Sequence, residues 1–140
     1  MPVCTFFGHS DCPEAVKTNL FSAIEKLITL NDVRIFYVGN HGNFDRLVVS
    51  VLKELKNKYP EIKYYVVLAY LPSKSDGTES YETIFPEGIE NVPKRFAIDF
   101  RNRWMIEKSD CVVTCINRGF GGAAKAKSYA EKHGKNIIEI

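Results

Sequence analysis

Apolar residues in this chain fall into two patterns that alternate from one end to the other: short continuous runs, and longer stretches spaced three and four apart. The continuous runs are Val3–Gly8 (VCTFFG), Val33–Val38 (VRIFYV), Tyr64–Tyr70 (YYVVLAY), Cys111–Ile116 (CVVTCI) and Asn136–Ile140. Such runs predict strands buried on both faces. Between them, Val16, Leu20, Ala23, Ile24, Leu27 and Ile28 repeat at helical spacing, with Ser10 or Asp11 as the expected cap and Pro13 in the first turn. A second helix is expected from a cap at Asn43, with core face Phe44, Leu47, Val48, Val51, Leu52 and Leu55, and Pro60 stops it. A third is predicted over Lys94–Lys108 after Pro93, with Ala97, Phe100 and Trp104 on one face. Gly119, Gly121 and Gly122 open a fourth, whose small face is Ala123, Ala126 and Ala130 and which Gly134 ends. Ser73–Ser80 reads as a surface loop. Tyr81–Val92, with Pro86 and Gly88, reads as an excursion over the sheet edge, so that 73–92 holds no assigned strand.

Strands that alternate with helices pair in parallel through right-handed crossovers. The expected fold is α/β: a Rossmann-like, doubly wound, mainly parallel five-stranded sheet with helices on both faces, formed by residues 1–140 as one domain. The first strand is placed beside the fourth, the second and third on one side, and the fifth on the other. The winding reverses between the first and fourth, and the crevice there is the expected ligand site. Gly8-His9-Ser10 and Asn117–Gly122 flank it.

Composition narrows the classes. With 45% hydrophobic and 26% charged residues the 140-residue chain has an ordinary globular mix. Nineteen basic against 17 acidic residues leave a net charge of +2, which argues against nucleic acid bound by a broad basic field. No apolar run approaches the roughly 20 residues that span a bilayer, and the first residues do not read as a signal peptide. A cytoplasmic protein without a membrane partner is expected. Cys4, Cys12, Cys111 and Cys115 form no C-x-x-C pair; buried thiols in a reducing compartment are the plain reading, with Cys12 in a polar, exposed turn.

Three constellations carry chemistry. NRGFGG (Asn117–Gly122) runs from a strand into a helix, where glycines allow close backbone approach and free amides favour an anion. It is neither a Walker turn nor a dinucleotide fingerprint, and a tight turn that lets the Ala-rich helix pack would also explain it. VGNHGNFDR (Val38–Arg46) repeats the design, and Arg46 in a first helical turn opposes the dipole unless an anion sits nearby; a solvated arginine paired with Asp45 is the alternative. RFAIDFRNRWM (Arg95–Met105) is the densest cationic cluster. Arg95, Asp99 and Arg103 share a stripe with Asn102 beside it, and Arg101 points elsewhere. The stripe reads either as internal salt bridges or as guanidinium forks for phosphate. His9 can bond a ligand or act as a base. No ligand set occurs at metal spacing, and no cofactor is expected. The apolar positions around Phe100 and Trp104 are either core or a surface for a homo-oligomer.

CTFFGHSDCP (4–13), FYVGNHGNFDRLV (36–48), PEGIENVPKRFAI (86–98), RNRWMIEKSD (101–110) and NRGFGGAA (117–124) together resemble the SLOG superfamily, which joins the DprA/Smf proteins and the LOG cytokinin-activating hydrolases. The branch most similar is that of the small YpsA-like bacterial and phage proteins. The resemblance covers nearly the whole chain and implies a Rossmann-like sheet and a nucleotide-derived ligand. LOG enzymes carry a basic pair on a helix and a P-G-G-x-G-T-x-E-E turn. Here Arg101–Arg103 matches the pair, while Ala124 and Lys125 stand where the glutamates would be. The phosphate-binding glycines persist and the carboxylates do not; Glu82 or Glu87 are the candidate replacements.

The expected function is therefore binding of a nucleotide or nucleotide-derived small molecule, to sense, carry or sequester it. The residues assigned to that ligand are Gly8, His9, Ser10, Gly39, Asn40, Gly42, Arg46, Arg95, Arg101, Asn102, Arg103, Gly119, Phe120, Gly121 and Gly122. One alternative is hydrolysis or transfer at an N-glycosidic bond of nucleoside monophosphates. A second is single-stranded DNA handling of the DprA kind, against which the near-neutral charge and the lack of interleaved aromatic and basic residues argue.

Overall fold

β1 (Val3–Gly8), β2 (Ile35–Val38), β3 (Lys63–Val67), β5 (Cys111–Cys115) and β6 (Asn136–Glu139) form the parallel sheet that the apolar runs predict. The computed structural model describes residues 2–70 and 81–140; the loop expected at Ser73–Ser80 lies outside them. The sheet has six strands rather than five, in the order β4-β3-β2-β1-β5-β6, with β4 (Glu82–Ile84) pairing in parallel with β3. A three-residue strand ahead of Pro86 is too short to show a periodicity, which is why it reads as an excursion. The winding reverses between β1 and β5 as expected, where Gly8 lies opposite Cys115.

The two faces are built by alternation. Phe6 and Val113 point into the larger cluster with Leu20, Ile24, Phe44, Val48 and Leu52 of α1 (Val16–Leu30) and α2 (Gly42–Lys58). Phe7 and Val112 point the other way, onto Met105 and Ile106 of α3 (Ala97–Glu107) and Ala126 and Ala130 of α4 (Gly122–Lys132). Each large apolar side chain so buried contributes about 2 kcal/mol. A smaller cluster of Ala69, Ile89 and Ala97 seats the segment after β4 beneath the start of α3.

Several boundaries differ from the sequence reading, each because a tertiary bond competes. β2 begins at Ile35 because Val33 N donates to Leu27 O at the end of α1. β3 stops at Val67, after which Leu68 N donates to Ile84 O and Tyr70 Oη to Lys94 O. Neither Ser10 nor Asp11 caps α1, which starts only after a turn over Pro13–Val16. Asn43 does not cap α2 either: the helix begins at Gly42, and the Asn43 side chain donates to Cys12 O. That bond helps hold the turn in which Cys12 is buried, not exposed. Residues Lys94–Phe96 form a 3-10 turn and the α-helix follows from Ala97. Phe100 and Trp104 are half-buried; the Trp104 ring lies 5.2 Å from that of Tyr37. The face expected for a homo-oligomer is thus partly occupied by the protein's own residues. Among the described residues, no helix is long and apolar enough to cross a membrane.

Candidate functional site

Because Gly8 and Cys115 end adjacent strands in register, the loops after them rise side by side. They enclose a cleft of about 260 Å³ with Phe6, Phe7 and Met105 at its base. Its polar lining is Gly8, His9, Ser10, His41, Asp45, Arg101, Asn102, Arg118, Gly121 and Gly122. Arg118 Nη1 bridges the loops by an ion pair to Asp11 Oδ1 at 3.3 Å.

Arg101 dominates the electrostatics. It is only 3% exposed. Its Nε donates to Asn102 Oδ1 at 2.8 Å, and Nη1 to Val67 O at 3.0 Å and Asn40 Oδ1 at 3.3 Å. Nη2 approaches only His41 Nδ1, at 3.5 Å. Among the described residues it makes no ion pair with a carboxylate. Burial lowers its pKa while the Asp45 charge opposes that shift, yet a guanidinium stays protonated in a protein. Asp45 lines the same cleft but makes no ion pair with Arg101, and a buried cation neutralised only from beyond ion-pair reach favours an anion in the cleft.

Two further groups face the same space. His9 is 5% exposed and its Nε2 finds no hydrogen-bond partner. Burial, and then the Arg118 charge, hold its pKa below the ordinary value, so it is neutral near pH 7. Left unsatisfied, such a buried atom costs about 1–3 kcal/mol. Asp45 Oδ2 accepts from His41 N at 2.9 Å, but burial outweighs that bond and the Arg101 charge and pushes the carboxyl up to about 6. His41 is held low by burial and by Arg101. The cleft thus offers a fixed cation, an unpaired imidazole nitrogen and a carboxyl that changes charge just below neutrality.

The sequence-assigned residues divide into those the fold gathers and those it does not. Gly8, His9, Ser10, Arg101, Asn102, Gly121 and Gly122 line the cleft. Asn40 touches it through Arg101. Gly39, Gly42 and Arg46 face a separate groove of about 600 Å³ along α2, which also contains Lys53 and meets the cleft only at Asp45. Gly119 and Phe120 stand outside the cleft, Phe120 beneath the Arg118 guanidinium. Arg95 lies exposed over the Phe96 ring. Arg103 is exposed in a groove of about 190 Å³ between α3 and α4, with Lys125, Tyr129 and Lys132. That groove shares Asn102 and Gly122 with the cleft. Glu82 and Glu87 line neither; Glu82 is on the edge strand. Lys125, at the place of a LOG glutamate, pairs with Asp99 at 2.7 Å.

Arg101 points away from the Arg95–Asp99–Arg103 stripe, as expected, and enters the cleft, while Asp99 and Arg103 line the neighbouring groove. The signal was present in the sequence, since Ala97, Arg101 and Met105 are four apart and share the buried stripe. Arg118 and Asp45 were missed as lining residues. Arg118 stood inside the glycine-rich loop, and Asp45 read as a partner for Arg46. Among the described residues no group of three potential metal ligands occurs.

Neither family models nor curated proteins match this sequence. Solved structures do. The X-ray structure of DNA processing protein A (DprA) from Streptococcus pneumoniae superimposes with a TM-score of 0.72 at 14% identity, covering 99% of this chain and 50% of that one. DprA from Helicobacter pylori, described by its single-stranded DNA binding mode, gives 0.68 at 13% identity, covering 99% of this chain and 64% of that one. The fold is that of DprA. This accords with the SLOG resemblance, and the chain spans half to two thirds of the length of those proteins. The expectation of no nucleic-acid partner is overturned, because the H. pylori protein has this fold and binds single-stranded DNA. Net charge averages over the chain, whereas Arg101, Arg118, Arg103, Lys125 and Lys132 gather along one edge.

Proposed function

We propose that this chain binds single-stranded DNA by its sugar-phosphate backbone, with one phosphate in the cleft over Arg101 and the strand continuing along the α3–α4 groove. The observation that carries this is Arg101, a buried guanidinium with a spare donor and no carboxylate partner, facing a cleft whose His9 nitrogen is also unpaired. A phosphodiester supplies the missing charge and accepts from both groups. The adjoining groove adds Arg103 and Lys132, with Lys125 paired to Asp99 between them, so contacts to further phosphates accumulate and affinity falls with salt. The Tyr129–His133 stack at 4.1 Å stands beside that groove as a surface for a base. The similarity to DprA supports the same reading.

The test is fluorescence anisotropy with a labelled oligothymidine at several salt concentrations. Arg101→Met keeps the aliphatic stem and removes the charge; leaving Asn102 Oδ1 and Val67 O without their donor lowers stability by about 1–3 kcal/mol, and affinity of the folded protein drops by about 100-fold, equivalent to losing charge-assisted hydrogen bonds of about 3 kcal/mol. Unchanged affinity in that variant would place the nucleic acid elsewhere. A second reading, a free nucleotide, draws on the small volume of the cleft, near the lower end for small-ligand pockets. It is favoured if a nucleoside monophosphate displaces the oligonucleotide at equal concentration and if affinity does not grow with oligonucleotide length.

A further inference from the structure

A thiol stands at the base of each loop that encloses the cleft, one in the turn after β1 and one at the end of β5. Cys12 closes the turn after β1, with its N–H donating to His9 O at 3.1 Å. Cys115 is the last residue of β5 and precedes the Asn117–Gly122 loop. Although 103 positions apart in sequence, their Sγ atoms lie 3.6 Å from each other. Bond formation requires an approach to about 2.05 Å, a movement of the turn that carries Cys12 toward the end of β5. Apart from this contact, the side-chain tie between the loops is the exposed Arg118–Asp11 ion pair, and Arg118 also lines the cleft. An anion that recruits Arg118 would loosen that pair.

We infer that Cys12 and Cys115 are a site of reversible oxidation, whose disulfide fastens the two cleft loops together and weakens binding in the cleft. The oxidant is a hydroperoxide. Half-buried Cys115 reacts first: its sulfur attacks the O–O bond, giving a sulfenic acid and water from hydrogen peroxide. The Cys12 thiol then displaces the hydroxyl, which leaves as a second water with the Cys12 proton, and the S–S bond forms. Two thiols lose two electrons and the peroxide gains two. Burial, with Cys115 beside it, pushes the Cys12 thiol up to about 12, so Cys12 is the poorer first nucleophile and acts as the resolving group. Cys4 and Cys111 face each other across β1 and β5, and because both are buried, with no half-buried partner like Cys115, they serve as the internal contrast. Closing the thiol gap displaces the loops by an ångström or more, enough to misplace His9 and Arg118 against a bound phosphate.

The effect on nucleic acid rests on the reading above; the bond itself does not. The full chain is treated with hydrogen peroxide, free thiols are alkylated, and the protein is cut before aspartate. Cleavage at Asp11 separates Cys4 from Cys12. The expected result is a mass loss of two hydrogens and a link between the peptides that begin at Asp11 and Asp110, absent in both Cys12→Ser and Cys115→Ser. Oligothymidine affinity is expected to fall about tenfold on oxidation and to recover with reductant. A link through Cys4, no link at all, or a link that leaves affinity unchanged overturns the inference. If the reduced protein binds no oligonucleotide, the DNA reading fails while the peptide link still decides whether the thiols are a redox site.

Discussion

Gly8 and Gly121 stand across the same cleft, yet they are glycine for opposite reasons. A Cβ at Gly8 would lie 2.3 Å from the Phe44 ring, so the missing side chain makes room for the protein's own core. A Cβ at Gly121 would meet nothing within 4 Å, and the residue instead holds φ +97 at the entry to α4. One glycine serves packing; the other serves backbone shape at an open anion-facing edge. A glycine-rich junction in a sequence therefore does not by itself mark a ligand contact, and the two kinds are told apart only by what surrounds them.

The largest effect expected from breaking this contrast is at Gly8. Gly8→Val drives two methyl groups into Phe44 and costs about 3 kcal/mol, read as a shift in urea midpoint; a variant of wild-type stability would show that Phe44 is not fixed there. Gly121→Val meets no clash but is strained at positive φ, at about 2 kcal/mol. Its clearer mark is on binding, with oligonucleotide affinity reduced about tenfold in folded protein because the loop amides move.

Asp45 gives an intermediate effect with a defined sign. Its folded-state pKa, about 6, is above the ordinary 3.8, so between those values the folded protein holds a proton that the unfolded chain has released. Stability therefore falls as pH rises across that window and levels off above about 6. Binding of a phosphate weakens over the upper part of the same window, as a carboxylate appears beside Arg101. Asp45→Asn removes the slope in both measurements and binds more tightly at pH 7.5. An unaltered pH profile in that variant assigns the slope to another group.

The smallest effect separates the two exposed arginines of the stripe. Arg103→Ala lowers the salt dependence of oligonucleotide binding by about one phosphate contact, whereas Arg95→Ala, which removes a guanidinium lying on Phe96 outside both cavities, leaves it unchanged. Equal losses in the two would mean that the strand follows the outer face of α3 instead of the groove.

Much of this was legible beforehand. Continuous apolar runs specify doubly covered strands, their alternation with helical spacing imposes parallel pairing, and β1 beside β5 follows. The convergence of His9 and Gly121 follows from that order alone. What escaped has a common cause. The edge strand Glu82–Ile84 is recruited by hydrogen bonds from β3, not by any pattern of its own. Asn43 and Cys12 are fixed by a bond between two loops, and no propensity at either position anticipates it. That Arg101 is buried was not read from the sequence, although it lies on the Ala97–Met105 stripe.

The sequence by itself determined the doubly wound sheet and the edge where its strands end, because burial periodicity and chain connectivity are local and additive along the chain. The tertiary structure alone decided which cation is buried with no carboxylate in ion-pair reach, which glycine gives way to Phe44, and which thiols meet. Each of these is a distance between residues remote in sequence, and such distances are set by how the helices pack onto the sheet.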